Sequence, residues 1–304
     1  MNNKLAPILV FAYKRLDSLI LTIEALKKNQ LSSASELYIF SDAARKLEDE
    51  KQVIQVRNYL KSISGFKTVK IFESTENKGL AKSIISGVTL TFESHNKVIV
   101  VEDDLVTTTN FLSYMNNALH EYEQKNKVFS IAGYSFNLTK KNTDYPEDAY
   151  FITRGWPWGW ATWKDRWENV DWEVKDYEQF KKDKKAQKAF AKGGSDVNSM
   201  LRKQMEGKLD SWAIRWFYHQ FKVGGLTLYP LFSKVYNIGF DEYATHTKGS
   251  DNRYVPNMDI SGNTSFKLPE LIEENPIFQK RFQNKMGIKR RIWGKIETLL
   301  QKFF

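Results

Sequence analysis

Cysteine is absent from this chain of 304 residues, and histidine occurs only four times. Without cysteine the chain can form neither disulfides nor thiolate metal sites, and this absence fits a reducing compartment. No apolar run approaches the roughly 18 residues of a membrane-spanning helix. An apolar stretch over residues 8–12 follows the N-terminus so closely that it leaves no room for a signal peptide. We therefore expect a cytoplasmic protein.

Positive charge and aromatic side chains are abundant instead. The formal net charge is +10, and aromatic residues make up 14% of the chain, with nine tryptophans. Much of the positive charge lies after residue 279, where the chain has eight lysines and arginines and a single acidic residue, Glu297. Such a balance indicates an anionic partner, such as a membrane surface, a nucleic acid or a phosphorylated substrate.

The first 126 residues alternate short apolar runs with amphipathic helical patterns. The predicted strands cover residues 7–11, 37–40, 69–72 and 97–101. This alternation predicts a parallel sheet covered by helices, an architecture typical of nucleotide-binding proteins. Beyond this half the pattern breaks into short strand-like pieces, an aromatic block and a lysine-rich stretch. We expect the lysine-rich stretch, residues 181–192, to be exposed and mobile.

The most informative segment is the run of acids Glu102-Asp103-Asp104, which ends the fourth apolar strand. In open α/β sheets, ligands gather at the carboxyl ends of strands. Three adjacent carboxylates repel one another unless a cation or a proton shares their site. A divalent ion with oxygen ligands would relieve the repulsion and would also hold a diphosphate. The alternative is a solvated acidic turn that caps the following helix.

Further segments accompany the acids in a fixed order. Together the segments cover residues 7–15, 40–42, 100–105, 155–163, 209–212 and 233–239. In this order they resemble glycosyltransferases of the GT-A fold. The resemblance is to the inverting N-acetylglucosaminyltransferase family that starts complex N-glycan branching, and to related bacterial polysaccharide glycosyltransferases. It implies an α/β, Rossmann-like, mostly parallel sheet flanked by helices, with a C-terminal acceptor region. The last fifty residues fall outside the resemblance, and there the residue pattern itself predicts a basic amphipathic tail helix.

The resemblance also implies a division of the chain. Residues 1–126 would form the nucleotide-sugar-binding half of one domain, and residues 127–274 its acceptor-binding and catalytic half. Residues 275–304, outside the resemblance, would form the basic amphipathic C-terminal helix.

Site residues follow from the same resemblance. Arg15 and Asp42 would hold the uracil of a UDP-sugar. Asp103 would contact the ribose, and Asp104 would be the direct ligand of Mn²⁺ or Mg²⁺. Asp210 aligns with the general base of the family.

The chain departs from the family pattern after its third strand. There the family has a basic or histidine contact to the base, whereas this chain reads Glu76-Asn77-Lys78-Gly79. Lys78 and Lys82 are the candidate nucleotide contacts at this place. A glycine-bounded segment, residues 239–249, would order over the diphosphate and would bring His246 to it.

Inverting sugar transfer requires a carboxylate that accepts the proton of the acceptor, a neutralised diphosphate and exclusion of water. Asp210 could be that carboxylate, although it could equally cap the helix that follows it. Trp158, Trp160 and Trp212 are candidates for the wall of an acceptor or sugar pocket, with core packing as the alternative.

We therefore predict a metal-dependent inverting glycosyltransferase, transferring a hexosyl or N-acetylhexosaminyl group from a UDP-sugar to a glycan or lipid-linked glycan. Bacterial surface polysaccharide synthesis would be its context. A nucleotidyltransferase acting on a sugar phosphate would usually carry a glycine-rich loop after the first strand, and residues 12–17 contain no glycine. A non-catalytic glycan-binding protein would have little need for the acids.

The tail gives the last expectation. From Ile288 onward, apolar residues fall on one side of a helical wheel and basic residues on the other. This pattern favours a helix lying in the headgroup layer at the inner face of the plasma membrane, and no nucleic acid partner. Packing on the core of the protein or on a second subunit is the alternative.

Overall fold

The computed structural model describes residues 4–139, 145–239 and 252–289. The strands are β1 (Ile8–Ala12), β2 (Glu36–Ser41), β3 (Thr68–Glu73), β4 (Lys97–Glu102), β5 (Leu105–Thr107), β6 (Val128–Ala132), β7 (Ala149–Ile152), β8 (Trp160–Trp163), β9 (Leu226–Pro230) and β10 (Val235–Asn237). The helices are α1 (Leu16–Lys27), α2 (Glu50–Leu60), α3 (Gly79–Thr91), α4 (Phe111–Glu121), α5 (Lys164–Trp167), α6 (Tyr177–Phe180), α7 (Lys184–Phe190), α8 (Val197–Met205), α9 (Trp212–Lys222) and α10 (Pro276–Lys285).

Eight strands form the central sheet in the order β3-β2-β1-β4-β8-β6-β9-β7. Neighbours from β3 to β4 are parallel, as are β6 and β9, whereas β8 and the edge strand β7 run the opposite way. Residues 98–101 of β4 are fully buried, as expected for an apolar strand inside a parallel sheet. The predicted α/β class, a mostly parallel sheet flanked by helices, is confirmed.

Each face of the sheet carries its own hydrophobic core. On one face, α1, α2, α4 and α10 contribute apolar side chains. On the other face, α3 and the helices α5 to α9 pack around tryptophans. Trp160 stacks on Trp212 with ring centroids 4.8 Å apart, and on Trp167 with centroids 5.7 Å apart. The aromatic content of the second half therefore fills a core.

Helix α10 belongs to the folded body. Asn275 caps it, because its side chain accepts hydrogen bonds from the backbone N–H groups of Ile277 and Phe278. Phe278 and Phe282 are 1% and 0% exposed, and Phe278 stacks on Tyr150 with centroids 4.0 Å apart. The beginning of the predicted tail thus packs on the sheet, which the charge pattern did not indicate. The helical wheel from Ile288 falls almost entirely outside the described residues.

No helix in the described parts of the chain is both long enough and apolar enough to cross a membrane.

Candidate active site

The acids after β4 contact an arginine that follows β1. The two strands pair in parallel, so the residues after them meet at one edge of the sheet. Arg15 Nη2 donates to Asp103 Oδ1 at 2.5 Å and to Asp104 Oδ2 at 2.8 Å. The backbone N–H of Tyr13 donates to Asp103 Oδ2 at 3.4 Å. Asp103 and Asp104 are only 5% and 9% exposed, so Arg15 supplies the positive charge that these buried carboxylates need.

Burial and mutual repulsion raise the pKa of two of the acids, Glu102 and Asp103. Burial raises the pKa of Glu102, and Asp104 and Asp103 raise it further. Burial also raises the pKa of Asp103 to about 6, although Arg15 acts in the opposite direction. Burial alone would lower the pKa of Arg15, but Asp103 and Asp104 raise it, so Arg15 remains charged. One arginine does not balance three carboxylates, and the site therefore favours a further cation or proton.

Gly239, which is distant from the acids in sequence, lies against this acidic cluster. Strand β10 pairs with β5, which begins directly after the acids. The backbone N–H of Ile238 donates to the carbonyl oxygen of Asp104 at 2.9 Å. A Cβ atom on Gly239 would lie 2.7 Å from Asp104 Cγ and 3.0 Å from Arg15 Nη1. Only glycine fits this position without a shift, a constraint that sequence reasoning missed.

Asp42 holds the turn that leads into α3. Its Oδ1 accepts hydrogen bonds from the backbone N–H groups of Lys78 and Ala43, both at 2.9 Å. Its Oδ2 accepts from the N–H of Gly79 at 2.9 Å and from Asn77 Nδ2 at 3.2 Å. The carboxylate is thus fully engaged by the chain, and a contact to uracil would require it to share or exchange one of these donors. That contact stays a prediction.

A groove of about 1090 Å³ runs along α3 beside the ends of β2 and β3. Lys78, Lys82 and Asp210 line it, and Asp42 lies at its wall. Among the described residues that line the groove, neither Arg15 nor the acids of β4 occurs. The structure therefore brings Lys78 and Lys82 together with the candidate base Asp210 along one groove.

Two phenylalanines that sequence reasoning missed also line this groove. Phe40 and Phe72 stack with centroids 4.8 Å apart and are only partly buried. Both stand at the ends of predicted strands, and an alternation of side chains along those strands could have placed them on one face. They give the groove an apolar surface between polar margins.

Asp210 lies on the margin of the groove with 68% of its side chain exposed. Arg215 Nη2 lies 3.6 Å from its Oδ1. The N-cap of α9 is Ser211, whose Oγ accepts a hydrogen bond from the N–H of Ile214 at 3.4 Å. Asp210 is therefore not occupied in capping α9, and its carboxylate is accessible to a ligand in the groove.

The three candidate tryptophans are buried. Trp160 and Trp212 are 2% and 3% exposed and stack on each other, and Trp158 is 9% exposed. Trp158 contacts the ring edge of Tyr134 with centroids 4.7 Å apart. Their positions show packing within the protein, and a contact with a sugar stays a prediction. His246 and the segment that begins after Gly239 lie outside the described residues.

The acidic cluster offers carboxylate oxygen atoms to a divalent ion. In the described part of the chain, no group of three histidine, aspartate or glutamate side chains converges as a complete ligand set. Mg²⁺ and similar ions commonly take one or two protein carboxylates and complete their coordination with water and substrate phosphates. Asp104 and Asp103 supply hard oxygen atoms of this kind, so the residues fit an ion that arrives with a diphosphate.

Comparisons with known proteins give only partial similarities. No protein-family model and no curated protein matches the chain. A crystal structure of S. aureus TarS is 13% identical, with 41% of this chain and 21% of that chain covered and a TM-score of 0.32. The structure of S. aureus TarS 1-349 is 12% identical, with 41% and 34% covered and a TM-score of 0.30.

A third solved structure is the mannosyltransferase PcManGT from Pyrobaculum calidifontis in complex with GDP-Man and Mn²⁺. It is 12% identical, with 43% of this chain and 36% of that chain covered and a TM-score of 0.31. The chain thus spans at most about a third of the length of these proteins.

Proposed function

We propose that this protein is a metal-dependent inverting glycosyltransferase that moves a sugar from a UDP-sugar to a glycan hydroxyl. The observation that carries the proposal is the cluster of Asp103, Asp104 and Arg15 at the carboxyl edge of a parallel sheet. Nucleotide ligands bind at this edge in open α/β sheets. The exposed carboxylate of Asp210, on the margin of the groove along α3, supports a place for the second substrate, the acceptor.

On the donor side, Asp104 would hold Mn²⁺ or Mg²⁺, and the ion would neutralise the departing diphosphate. Arg15 already binds both carboxylates, so it is placed to orient them and to face the negative charge of the nucleotide. Asp103 and Arg15 would contact the ribose and the base, and His246 the phosphates. Gly239 would leave the space above Asp104 free of any side chain.

On the acceptor side, Asp210 would accept the proton of the attacking hydroxyl. Its exposure allows a substrate to reach it, and Arg215 at 3.6 Å restricts its orientation. Sugars bind to apolar ring surfaces, and Phe40 and Phe72 supply such a surface inside the groove. Lys78 and Lys82 stand on the same groove, which favours a contact with the acceptor at least as much as one with the nucleotide.

The acceptor would be a glycan or a lipid-linked glycan of bacterial surface polysaccharide synthesis, met at the inner face of the plasma membrane. The basic amphipathic segment after Ile288 would seat the protein there. Because Phe278 and Phe282 are buried, the membrane-binding part would begin only after α10. A truncation that tests it should therefore end at Lys289 and leave α10 intact.

The test is a panel of UDP-sugars and GDP-sugars, offered with Mn²⁺, with Mg²⁺ or with excess chelator. Release of the free nucleoside diphosphate measures both transfer and slow hydrolysis. We expect release from one UDP-sugar, dependent on metal. Equal release in chelator, or no use of any UDP-sugar with either ion, would overturn the proposal.

A further inference from the structure

A row of lysines on the second layer of helices takes no part in the proposed chemistry. The lysine ridge consists of six exposed residues, which are Lys181, Lys182, Lys184, Lys185, Lys188 and Lys192. Lys184, Lys185 and Lys188 lie on α7, and Lys184 and Lys188 are four residues apart on one helix face. Lys181 and Lys182 precede the helix, and Lys192 follows it. The ridge therefore carries positive charge along α7 and its two flanks.

The ridge is a packed element, whereas the sequence led us to expect a mobile stretch. Phe180 and Phe190, on the opposite side of the same segment, are 7% and 4% exposed. Both contact Tyr218 of α9, with ring centroids 4.9 Å and 5.6 Å apart. Asp183 caps α7 by accepting hydrogen bonds from the N–H groups of Lys185 and Ala186 at 2.9 Å and 2.8 Å. The aromatic contacts and the cap hold the lysines in place.

Most of the charge of the ridge is not neutralised within the chain. Lys181 Nζ lies 3.6 Å from Glu178 Oε1, an exposed pair of little strength. In the described residues, none of the other five ammonium groups has a carboxylate within 4.0 Å. Asp183 is the one acid between residues 181 and 192. The ridge therefore presents a net positive surface to solvent.

The end of α10 lies beside this ridge. Gln279 Nε2 donates to the carbonyl oxygen of Lys192 at 2.9 Å. The backbone N–H and Oγ of Ser195 donate to the carbonyl oxygen of Met286 at 3.2 Å and 2.8 Å. Ile288, which follows at once, is 64% exposed. Two basic segments that are distant in sequence therefore meet on one surface, with an exposed apolar side chain at the junction.

We propose that the lysine ridge and the end of α10 together dock on an anionic lipid surface. Lysine ammonium groups are strongly hydrated point charges that suit diffuse attraction to many headgroups. An exposed isoleucine beside them suits the boundary between headgroups and acyl chains. Binding of single-stranded nucleic acid relies on aromatic side chains that stack on bases, whereas Phe180, Phe190 and Tyr218 of this layer are buried.

This docking surface does not depend on the proposed reaction, since vesicle binding can be measured without any substrate. The test compares binding of the full chain to vesicles of phosphatidylcholine alone and of phosphatidylcholine mixed equally with phosphatidylglycerol. The test variant is Lys184→Glu/Lys185→Glu/Lys188→Glu. The matched control, Lys28→Glu/Lys51→Glu/Lys61→Glu, makes the same charge change at exposed positions in α2 and directly after α1 and α2. These two helices pack on the face of the sheet opposite α7.

We expect the unmodified chain to bind the anionic vesicles, more weakly at high salt, and to ignore the neutral ones. The ridge variant should lose at least about tenfold in apparent affinity, because each lysine near an anionic surface adds favourable binding. The control should stay within about twofold of the unmodified chain, since its charges lie away from the ridge. A ridge variant that binds as well as the control would overturn the proposal and assign vesicle binding to the tail alone.

Two further outcomes decide the remaining possibilities. If the glutamate variant loses its circular dichroism signal, Lys184→Gln/Lys185→Gln/Lys188→Gln replaces it, with a smaller loss expected in the same direction. If the unmodified chain binds RNA but not anionic vesicles, and the ridge variant loses the RNA, the lipid assignment is wrong.

Discussion

Two sets of carboxylates lie at the proposed active site, and the chain holds them in opposite ways. Asp103 and Asp104 are almost fully buried and hydrogen-bonded to Arg15. Asp210 is mostly exposed, and Arg215 stands at a looser 3.6 Å. Arg15 fixes the positions of the buried pair but supplies only one positive charge. The exposed acid has Arg215 at a longer distance, so a ligand in the groove can reach its carboxylate. The difference is in line with the roles proposed above, an ion site for the buried pair and proton transfer for Asp210.

The largest effect should come from the buried pair. Asp104→Asn removes one of the carboxylates that would hold the ion, so turnover should fall by roughly 10³-fold while the fold persists. The measurement is metal-dependent release of UDP, with circular dichroism to monitor folding. Glu173→Gln is the control, because it removes one carboxylate from an exposed ion pair with Lys175. Unchanged turnover in Asp104→Asn would remove the basis of the metal site.

The exposed acid should give the next largest effect. Asp210→Asn keeps the shape of the side chain but cannot accept a proton, so turnover should fall by roughly 10²-fold or more. Binding of UDP with metal, measured by calorimetry, should stay unchanged because Asp210 lies on the groove and not in the Arg15 cluster. A loss of UDP affinity equal to the loss of turnover would show that Asp210 has a structural role.

Gly239 offers a way to disturb the buried pair without changing its charge. Gly239→Ala would push a methyl group against Asp104 and Arg15, so affinity for UDP in the presence of metal should fall by about tenfold. Gly193→Ala is the control, since a Cβ there would meet Arg154 at an ordinary 3.5 Å. Equal UDP affinities in the two variants would mean that Asp104 can move aside without cost.

A third carboxylate, Asp259, tests whether burial or pairing decides the behaviour of an acid. It is buried against Lys234, with which it forms an ion pair. Burial alone would raise the pKa of Asp259, but hydrogen bonds from Lys234, Ser261 and Asn110 lower it to about 2. Burial lowers the pKa of Lys234 in spite of Asp259. The extra donors on the carboxylate explain this asymmetry, and we therefore expect the acid to carry the pH dependence.

The lowered pKa of Asp259 determines how the stability of the protein changes with pH. Its stabilising contribution is complete above the ordinary pKa of 3.8 and is lost as the pH falls toward about 2. The loss amounts to about 2 kcal/mol of unfolding free energy. Urea unfolding of the unmodified chain and of Asp259→Asn at several pH values measures it. The difference between the two proteins should shrink on acidification, and a constant difference would contradict the assignment.

The first half of the fold and the acids of β4 could be predicted because their signals are local. Strand and helix periods are read over a few residues, and parallel strands place their ends at one edge. The contact of Gly239 with Asp104 could not be predicted, because it depends on the pairing of β10 with β5, which are more than a hundred residues apart in the chain. The burial of Phe278 was hidden for a similar reason, because the basic residues around it suggested a solvated tail.

Asp42 shows a different limit. Its residue type and its place after β2 fitted a ligand contact. The sequence carried no sign that the turn into α3 would supply three donors to it, in addition to the N–H of Ala43. The same holds for the tryptophans. Composition indicates aromatic surfaces, but only the packing of α5 to α9 decides that Trp160 and Trp212 face each other.

The tryptophan cluster has an optical consequence. Trp160, Trp167, Trp172, Trp212 and Trp216 form a connected set, with centroids between 4.7 Å and 6.3 Å apart in each contacting pair. Excitation absorbed by one indole will pass readily among the others, so their emission reports on this core as a unit. Trp212 stands two residues after Asp210, which lines the groove. An acceptor analogue in the groove should therefore alter the intrinsic fluorescence of the cluster.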